Sequence, residues 1–195
     1  ERLADIEQRF GPGVAAIVRG CSDSLRPEGQ AKEPWEERKR RYIDHLADAK
    51  QLPALWFAFN RRECEQFASL VHRALLPSED RRRILETFAD LLARFDLPPD
   101  ATTNHLRGLL QKGVAYHHAG LLPTLKEVIE RIFTTGLIKL LFATETFAVG
   151  VNMPARTVVF NSIFKFDGKR MGPIKSREHH QMSGRAGRRG IDEVG

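Results

Sequence analysis

The chain has 195 residues, is 42% hydrophobic and 29% charged, and carries a formal net charge of +6 with a pI of about 9.6. That length suits one ordinary domain with a substantial core and is short for two. The composition is that of a soluble globular protein. No apolar run approaches a membrane span, which argues against a membrane partner, and the positive charge favours a polyanionic partner without proving one.

In chain order, residues 1 to about 50 are weakly patterned. Leu3, Ile6 and Phe10 have helical spacing, and Gly11-Pro12-Gly13 breaks that helix. Val14 to Val18 is a short apolar run that reads as a strand. Residues 22–34 are polar, with Gly and Pro, and read as a loop or linker. Glu36 to Lys50 is a charged helical stretch with Trp35, Tyr42, Ile43 and Leu46 on its buried side. Its run Arg38-Lys39-Arg40-Arg41 either touches nucleic acid or forms a solvated face. Residues 1–50 thus form a linker or N-terminal extension, ahead of a domain over 51–195. Cys21 and Cys64 lie far apart without ligand spacing. Free thiols fit a reducing compartment, so the expected location is cytoplasmic, or nuclear in a eukaryote. The sequence opens without Met and ends just after a strongly patterned segment, so it reads as a fragment of a longer protein.

From Leu52 the pattern sharpens. Leu55 to Phe59 is a buried strand of the kind a parallel sheet needs. A helix follows from Asn60 through about Leu76, with Phe67, Leu70, Val71 and Leu75 facing inward. Pro77-Ser78 stops it, and Ser78 is placed to cap the next helix. That helix has the stripe Ile84, Phe88, Leu91, Leu92 and Phe95. A short helix with Leu106, Leu109 and Leu110 stops at Gly113. Val114 opens a second strand that runs into a loop at Ala119-Gly120. Pro123 starts a helix carrying Leu125, Val128, Ile129, Ile132 and Phe133, and Gly136 ends it. Ile138 to Phe142 is a third strand, residues 144–154 a loop, and Thr157 to Phe160 a fourth strand. A polar loop follows, and Glu178 opens a helix that carries the arginines. Strands alternating with helices predict an α/β fold: a mostly parallel sheet with helices on both faces. Ligands of such sheets gather at the carboxyl ends of strands.

Three segments carry chemistry. Arg61 lies at a strand-to-helix junction, where backbone N–H groups and a cation can hold a phosphate; an ion pair with Glu63 or Glu65 is equally open. In Thr144 to Ala155, Thr144 and Thr146 offer hydroxyls to a phosphodiester, Gly150 permits a close approach, and Asn152 can bond a sugar hydroxyl. The same residues also suit a structural loop with helix caps. In Gln181-Met182-Ser183-Gly184-Arg185-Ala186-Gly187-Arg188-Arg189-Gly190, Arg185 and Arg188 share a face if the segment is helical. Guanidinium forks match phosphate oxygens and stay charged, so two of them beside small glycines can clamp a polyphosphate. A basic, glycine-rich surface loop is the alternative. His117-His118 alternate across a strand, so one ion can hardly take both, and His179-His180 meet a similar difficulty; no metal site is expected. No G-x-G-x-x-G follows a strand, which removes a dinucleotide fold of the dehydrogenase type.

These motifs, in this order, resemble the second RecA-like domain of superfamily-two helicases, most closely the Ski-like DExH-box group of RNA helicases associated with exosome-type RNA decay. Gln181 to Gly190 resembles its motif VI, Thr144 to Ala155 its motif V, and Phe59 to Glu65 its motif IV, with Asn60 where Ser is usual. His117 to Leu121 and Lys165 to Gly168 are similar to further family signatures. The resemblance covers residues 53–195 and implies a RecA-like fold. It implies that ATP and magnesium are bound mainly by a first RecA-like domain elsewhere in the parent chain. Gln181, Arg185 and Arg188 would be catalytic, and Gly150, Asn152 and Gly184 would join them at the nucleotide. Asn60, Arg61, His118, Thr144, Glu145 and Thr146 would contact single-stranded RNA, with DNA and a repair-type helicase as the alternative. RNA-decay machinery is the implied wider partner. A non-catalytic nucleic-acid-binding scaffold is the second class of reading.

Neither a G-x-x-x-x-G-K-[ST] phosphate loop nor a D-E-x-H segment occurs in the sequence. The isolated chain is therefore expected not to hydrolyse ATP. A rate in the purified chain that disappears in Arg185→Ala would overturn this.

Overall fold

A computed structural model describes residues 2–21, 33–147, 154–166, 168–187 and 192. Gly150, Asn152 and Arg188 lie outside the described residues. The chain divides into two compact units, Glu1–Ala49 and Lys50–Gly195.

The first unit holds α1 (Arg2–Cys21), kinked at Gly11 with φ 84° and ψ 167°, and α2 (Trp35–Asp48). The expected break at Gly11-Pro12-Gly13 is present, but Val14 to Val18 is helical rather than a strand. A lone strand leaves its N–H and C=O groups unpaired, whereas a helix pairs them within the segment, and Pro12 suits the first turn of a new helical run. Ile43 and Leu46 of α2 are buried.

The second unit is built on four parallel strands in the order β2-β3-β1-β4. They are β1 (Ala54–Phe57), β2 (Val114–His117), β3 (Leu140–Ala143) and β4 (Thr157–Phe160). β1, β2 and β3 are buried along their whole length, as their unbroken apolar runs require. Pairing is in step: Phe57 faces both Ala143 and Phe160, and His117 faces Ala143. The carboxyl ends of all four strands therefore lie along one edge.

Helices cover both faces. Trp56, Phe142 and Tyr116 share one face by register. On it lie α3 (Arg61–Leu70), through Phe67 at 6.1 Å from Trp56, and α5 (Ala101–Leu110), through His105 at 5.6 Å from Tyr116. The opposite face presents Phe57, Phe160 and His117. It receives α6 (Pro123–Thr134) through Glu130 and α7 (Ser176–Ser183) through His179, 5.0 Å from Phe160. α4 (Ser78–Arg94) touches both α5 and α6 and closes the side at edge strand β2. Asp100 and Thr103 form a capping box at the start of α5, and those hydrogen bonds hold the Asp100 carboxyl below its ordinary range. Burial pushes the Cys64 thiol up to about 12, which makes it inert.

Several boundaries differ from the sequence reading. α3 ends at Leu70, not near Leu76, because the chain beyond it is tied to the turn before β2. The Leu75 N–H donates to the Lys112 carbonyl at 2.8 Å, and Lys112 Nζ donates to the Val71 carbonyl at 2.7 Å. Ser78 is the first residue of α4 and gives no cap; Pro77 occupies the cap position. The polar loop after β4 contains a hairpin, β5 (Phe164–Phe166) paired antiparallel with β6 (Met171–Pro173). α7 stops at Ser183, so Arg185 lies beyond the helix rather than on it.

Gly113 turns the chain into β2 at φ 81°, and a Cβ there would meet Leu76 Cγ at 2.8 Å. Gly136 has φ 74° with open space around it. Gly113→Ala is expected to cost the backbone penalty of about 1–2 kcal/mol plus the clash, and Gly136→Ala the backbone penalty alone. Urea denaturation of the two variants checks this; equal losses would show that Leu76 yields without cost.

Candidate nucleic-acid interface

The strand-end edge gathers most of the residues expected to meet nucleic acid. Asn60 follows β1 and caps α3, its Oδ1 accepting the Glu63 N–H at 2.8 Å. Its side-chain oxygen is thus engaged by the helix, leaving the amide N–H groups for other partners. Arg61 begins α3 and is exposed. Its side chain lies over Gly120, where an added Cβ would meet Arg61 Cδ at 3.0 Å and Nη1 at 3.2 Å. The guanidinium is therefore seated beside the helix amino terminus, whose free N–H groups also favour anions. On the neighbouring strand end Thr144 is buried, its N–H donates to the His117 carbonyl, and its hydroxyl lies 2.9 Å from that of Thr146. Adjacent strands lie about 4.8 Å apart, which puts the β1 and β3 ends within reach of one sugar–phosphate backbone.

His118 is buried behind this edge. The Gly120 N–H donates to His118 Nδ1 at 3.1 Å, so the other ring nitrogen, Nε2, carries the proton and donates to Glu65 Oε1 at 3.0 Å. Its ring stacks on Tyr116 at 5.3 Å. His118 thus supports the loop under Arg61 and does not itself face outward. His117 points the other way, with Nε2 2.8 Å from Glu130 Oε1. The two rings serve opposite layers, and among the described residues no group of three or more His, Cys, Asp or Glu is placed to hold a metal. Burial holds both imidazoles below their ordinary range, against the pull of Glu130 on His117 and of Glu65 on His118.

Sequence reasoning did not anticipate the polar partners. Lys165 of β5 reaches Glu145 Oε1 at 3.1 Å and Glu178 Oε1 at 3.0 Å. Burial pulls its pKa down, but the two carboxylates outweigh that and raise it. Asn161, just past β4, donates from Nδ2 to Glu63 Oε2 at 3.2 Å. Lys165, Gly120 and Glu65 lie in segments that resemble family signatures, but nothing local paired Lys165 with Glu145 and Glu178 or His118 with Glu65, and Asn161 carried no local signal.

The arginine turn lies elsewhere. Gly184 caps the end of α7, where an added Cβ would meet the His180 carbonyl at 2.9 Å. The Arg185 carbonyl accepts the Ala155 N–H at 2.9 Å, and the Gly187 N–H donates to the Ala155 carbonyl at 2.9 Å. Ala155 precedes β4, so the turn sits at the amino-terminal end of that strand. At about 3.3 Å per residue this is on the order of 15 Å from the strand-end edge. As far as Gly187, the arginine segment thus lies at the opposite side of the sheet from the strand-end edge, because α7 runs back along β4. Gln181 is exposed one turn before it.

This turn fits part of a nucleotide site. It supplies the side chains of Gln181 and Arg185 and a close-packed glycine, which suit phosphate oxygens. Among the described residues it offers no carboxylate cluster for magnesium.

Residues 99–190 match the family model described as Helicase conserved C-terminal domain. DExH-box ATP-dependent RNA helicase DExH9 of Arabidopsis thaliana is 50% identical over 147 residues, 73% of this chain and 15% of that protein. Exosome RNA helicase MTR4 of Homo sapiens is 48% identical over 149 residues, covering 73% of this chain and 14% of its own. Antiviral helicase SKI2 of Saccharomyces cerevisiae is 40% identical over 174 residues, 86% of this chain and 13% of its own. The chain spans 13–15% of the length of these curated relatives. Sheet, edge and match together define a RecA-like helicase C-terminal domain. The chain belongs, within superfamily two, to the Ski-like DExH-box group.

The buried imidazoles give a pH signature. Their folded pKa values lie below the unfolded value of 6.5, so the folded state binds fewer protons than the unfolded state as pH falls. The stability they contribute is full above that value and is lost as pH falls below it. Urea midpoints are expected to drop between pH 7 and 5.5, and His118→Gln to flatten part of that drop. An unchanged slope in the variant counts against the assignment.

Proposed function

We propose that this chain is the second RecA-like half of an ATP-dependent RNA helicase. The strand-end edge contacts the backbone of single-stranded RNA, and the arginine turn reaches the phosphates of ATP held by a first RecA-like domain. The observation that carries the reading is the seating of Arg61 over Gly120 at the amino end of α3, beside Thr144 and Thr146 on the next strand end. Cation, helix terminus and hydroxyls suit phosphodiesters and read no base, as a motor moving along a strand requires. The names of the relatives support the RNA and ATP parts: each is a helicase, and two are named as ATP-dependent or exosome RNA helicases.

Bound ATP supplies the phosphoanhydride whose cleavage drives the cycle. Arg185, together with Arg188, holds the charge that builds on the transferring phosphoryl group, and Gln181 orients it. Gly150 and Asn152 serve the ribose side. Glu145 stands at the RNA edge, beside Thr144 and Thr146. RNA-decay machinery is the wider partner.

The test is ATP turnover by the full-length parent protein with single-stranded RNA, single-stranded DNA or neither. Stimulation by RNA is expected. Stimulation by DNA alone would move the motor to repair-type relatives, and none at all would leave a scaffold. Arg61→Ala is expected to weaken RNA binding about equally for all sequences and to lower the log–log salt slope by about one.

A further inference from the structure

The hairpin β5–β6 is held to the domain by an unusual anchor. Phe164 and Phe166 of β5 point outward and are 50% and 62% exposed, while Lys165 between them turns inward. Its side chain is 13% exposed, with one carboxylate on either hand. Glu145 belongs to the turn at the end of β3 that also carries Thr144 and Thr146. Glu178 belongs to the first turn of α7, where its Oε2 accepts the Lys175 N–H at 3.3 Å.

We propose that Lys165 is a positioning residue that couples the two halves of the site: its ammonium clasps the Thr144–Thr146 turn to the helix leading to Arg185, so that RNA at the edge changes ATP turnover. This rests on the helicase reading given above. One ammonium shared by two carboxylates leaves the group with a net negative charge, so the two acids compete for it. A phosphodiester arriving at Arg61 and Thr144 is negative and repels Glu145. The ammonium then shifts towards Glu178 and draws on the start of α7. Eight helical residues carry that displacement about 12 Å to Gly184. There the chain is stapled to Ala155, on the far side of the same motif V segment. The clasp is thus a small element with two arrangements that both ligands bias, which is the physical requirement for coupling.

The experiment uses the full-length parent protein and its Lys165→Met, Lys165→Arg and Glu178→Gln variants. It reads ATP turnover with and without single-stranded RNA, and RNA affinity without nucleotide. Lys165→Met is expected to lose at least fivefold of the stimulation while its unstimulated rate and RNA affinity stay within about twofold of the wild type. Lys165→Arg restores the coupling. Glu178→Gln shows the same loss, and decides the matter if Lys165→Met does not fold. The double variant is no worse than either single one, because both cut the same link. Full stimulation in both the Met and Gln variants overturns the proposal. So does an RNA affinity that falls in step with the stimulation, since Lys165 would then only shore up the edge. A wild type that RNA does not stimulate removes the RNA-helicase reading itself, and the clasp with it.

Discussion

Strands of four residues have short hydrogen-bond ladders, so side chains must decide how they align. In this domain the decision falls to a triangle of Trp56, Phe67 and Phe142, with ring centroids 5.6–6.2 Å apart. A slip of one residue would turn a strand over and carry its ring to the opposite helical layer, away from the other two. Fully burying one such side chain is worth about 1.5–3 kcal/mol, against about 0.2–1 kcal/mol for an exposed ion pair. The aromatic triangle therefore outweighs the surface charges in fixing register. Register in turn fixes the interface: a slip would move Thr144 by about 3.3 Å relative to Arg61, enough to break a shared phosphate contact.

α7 relates the two ends of the domain. It starts beside the Lys165 clasp and finishes where Gly184 and Arg185 turn against Ala155. A helix carboxyl end carries partial negative charge and repels anions by itself. It does, however, favour a cation placed just beyond it, and Arg185 occupies that position. The backbone thus favours the guanidinium, and it is the side-chain charge, not the helix end, that can attract a phosphate there.

What the sequence made legible was what depends on near neighbours. β4 runs over Thr157–Phe160 as its apolar pattern predicts, and the stripes of α5 and α6 are buried where their spacing put them, as is that of α4 except for Phe95, which follows the helix and is half-buried. The parallel sheet and its two helical layers followed from alternation. The arginine segment misled because Gln181 to Arg188 keeps helical spacing past the point where the helix ends. What stops it is a pair of hydrogen bonds to Ala155, which no local pattern records. The hairpin was missed because its strands have three residues each and no usable period. The partners of the candidate site were hidden for the same reason: Glu65 is 53 residues from His118, and Glu145 is 20 from Lys165.

The cap at Asn60 bears on which sequences this edge tolerates. Asn, Asp and Ser serve almost equally well at a helix amino terminus, because each supplies the one oxygen that the Glu63 N–H needs. Folding therefore cannot tell the three apart, and the Ser that the related motif carries here is interchangeable with Asn as far as α3 is concerned. An aspartate would hold the helix too, and its charge would suit the helix dipole, yet it would set a fixed negative charge beside Arg61 on the surface proposed to meet phosphates. On the proposed reading the position is open to drift between two neutral residues and closed to the third, and what closes it is the charge of a nucleic-acid backbone.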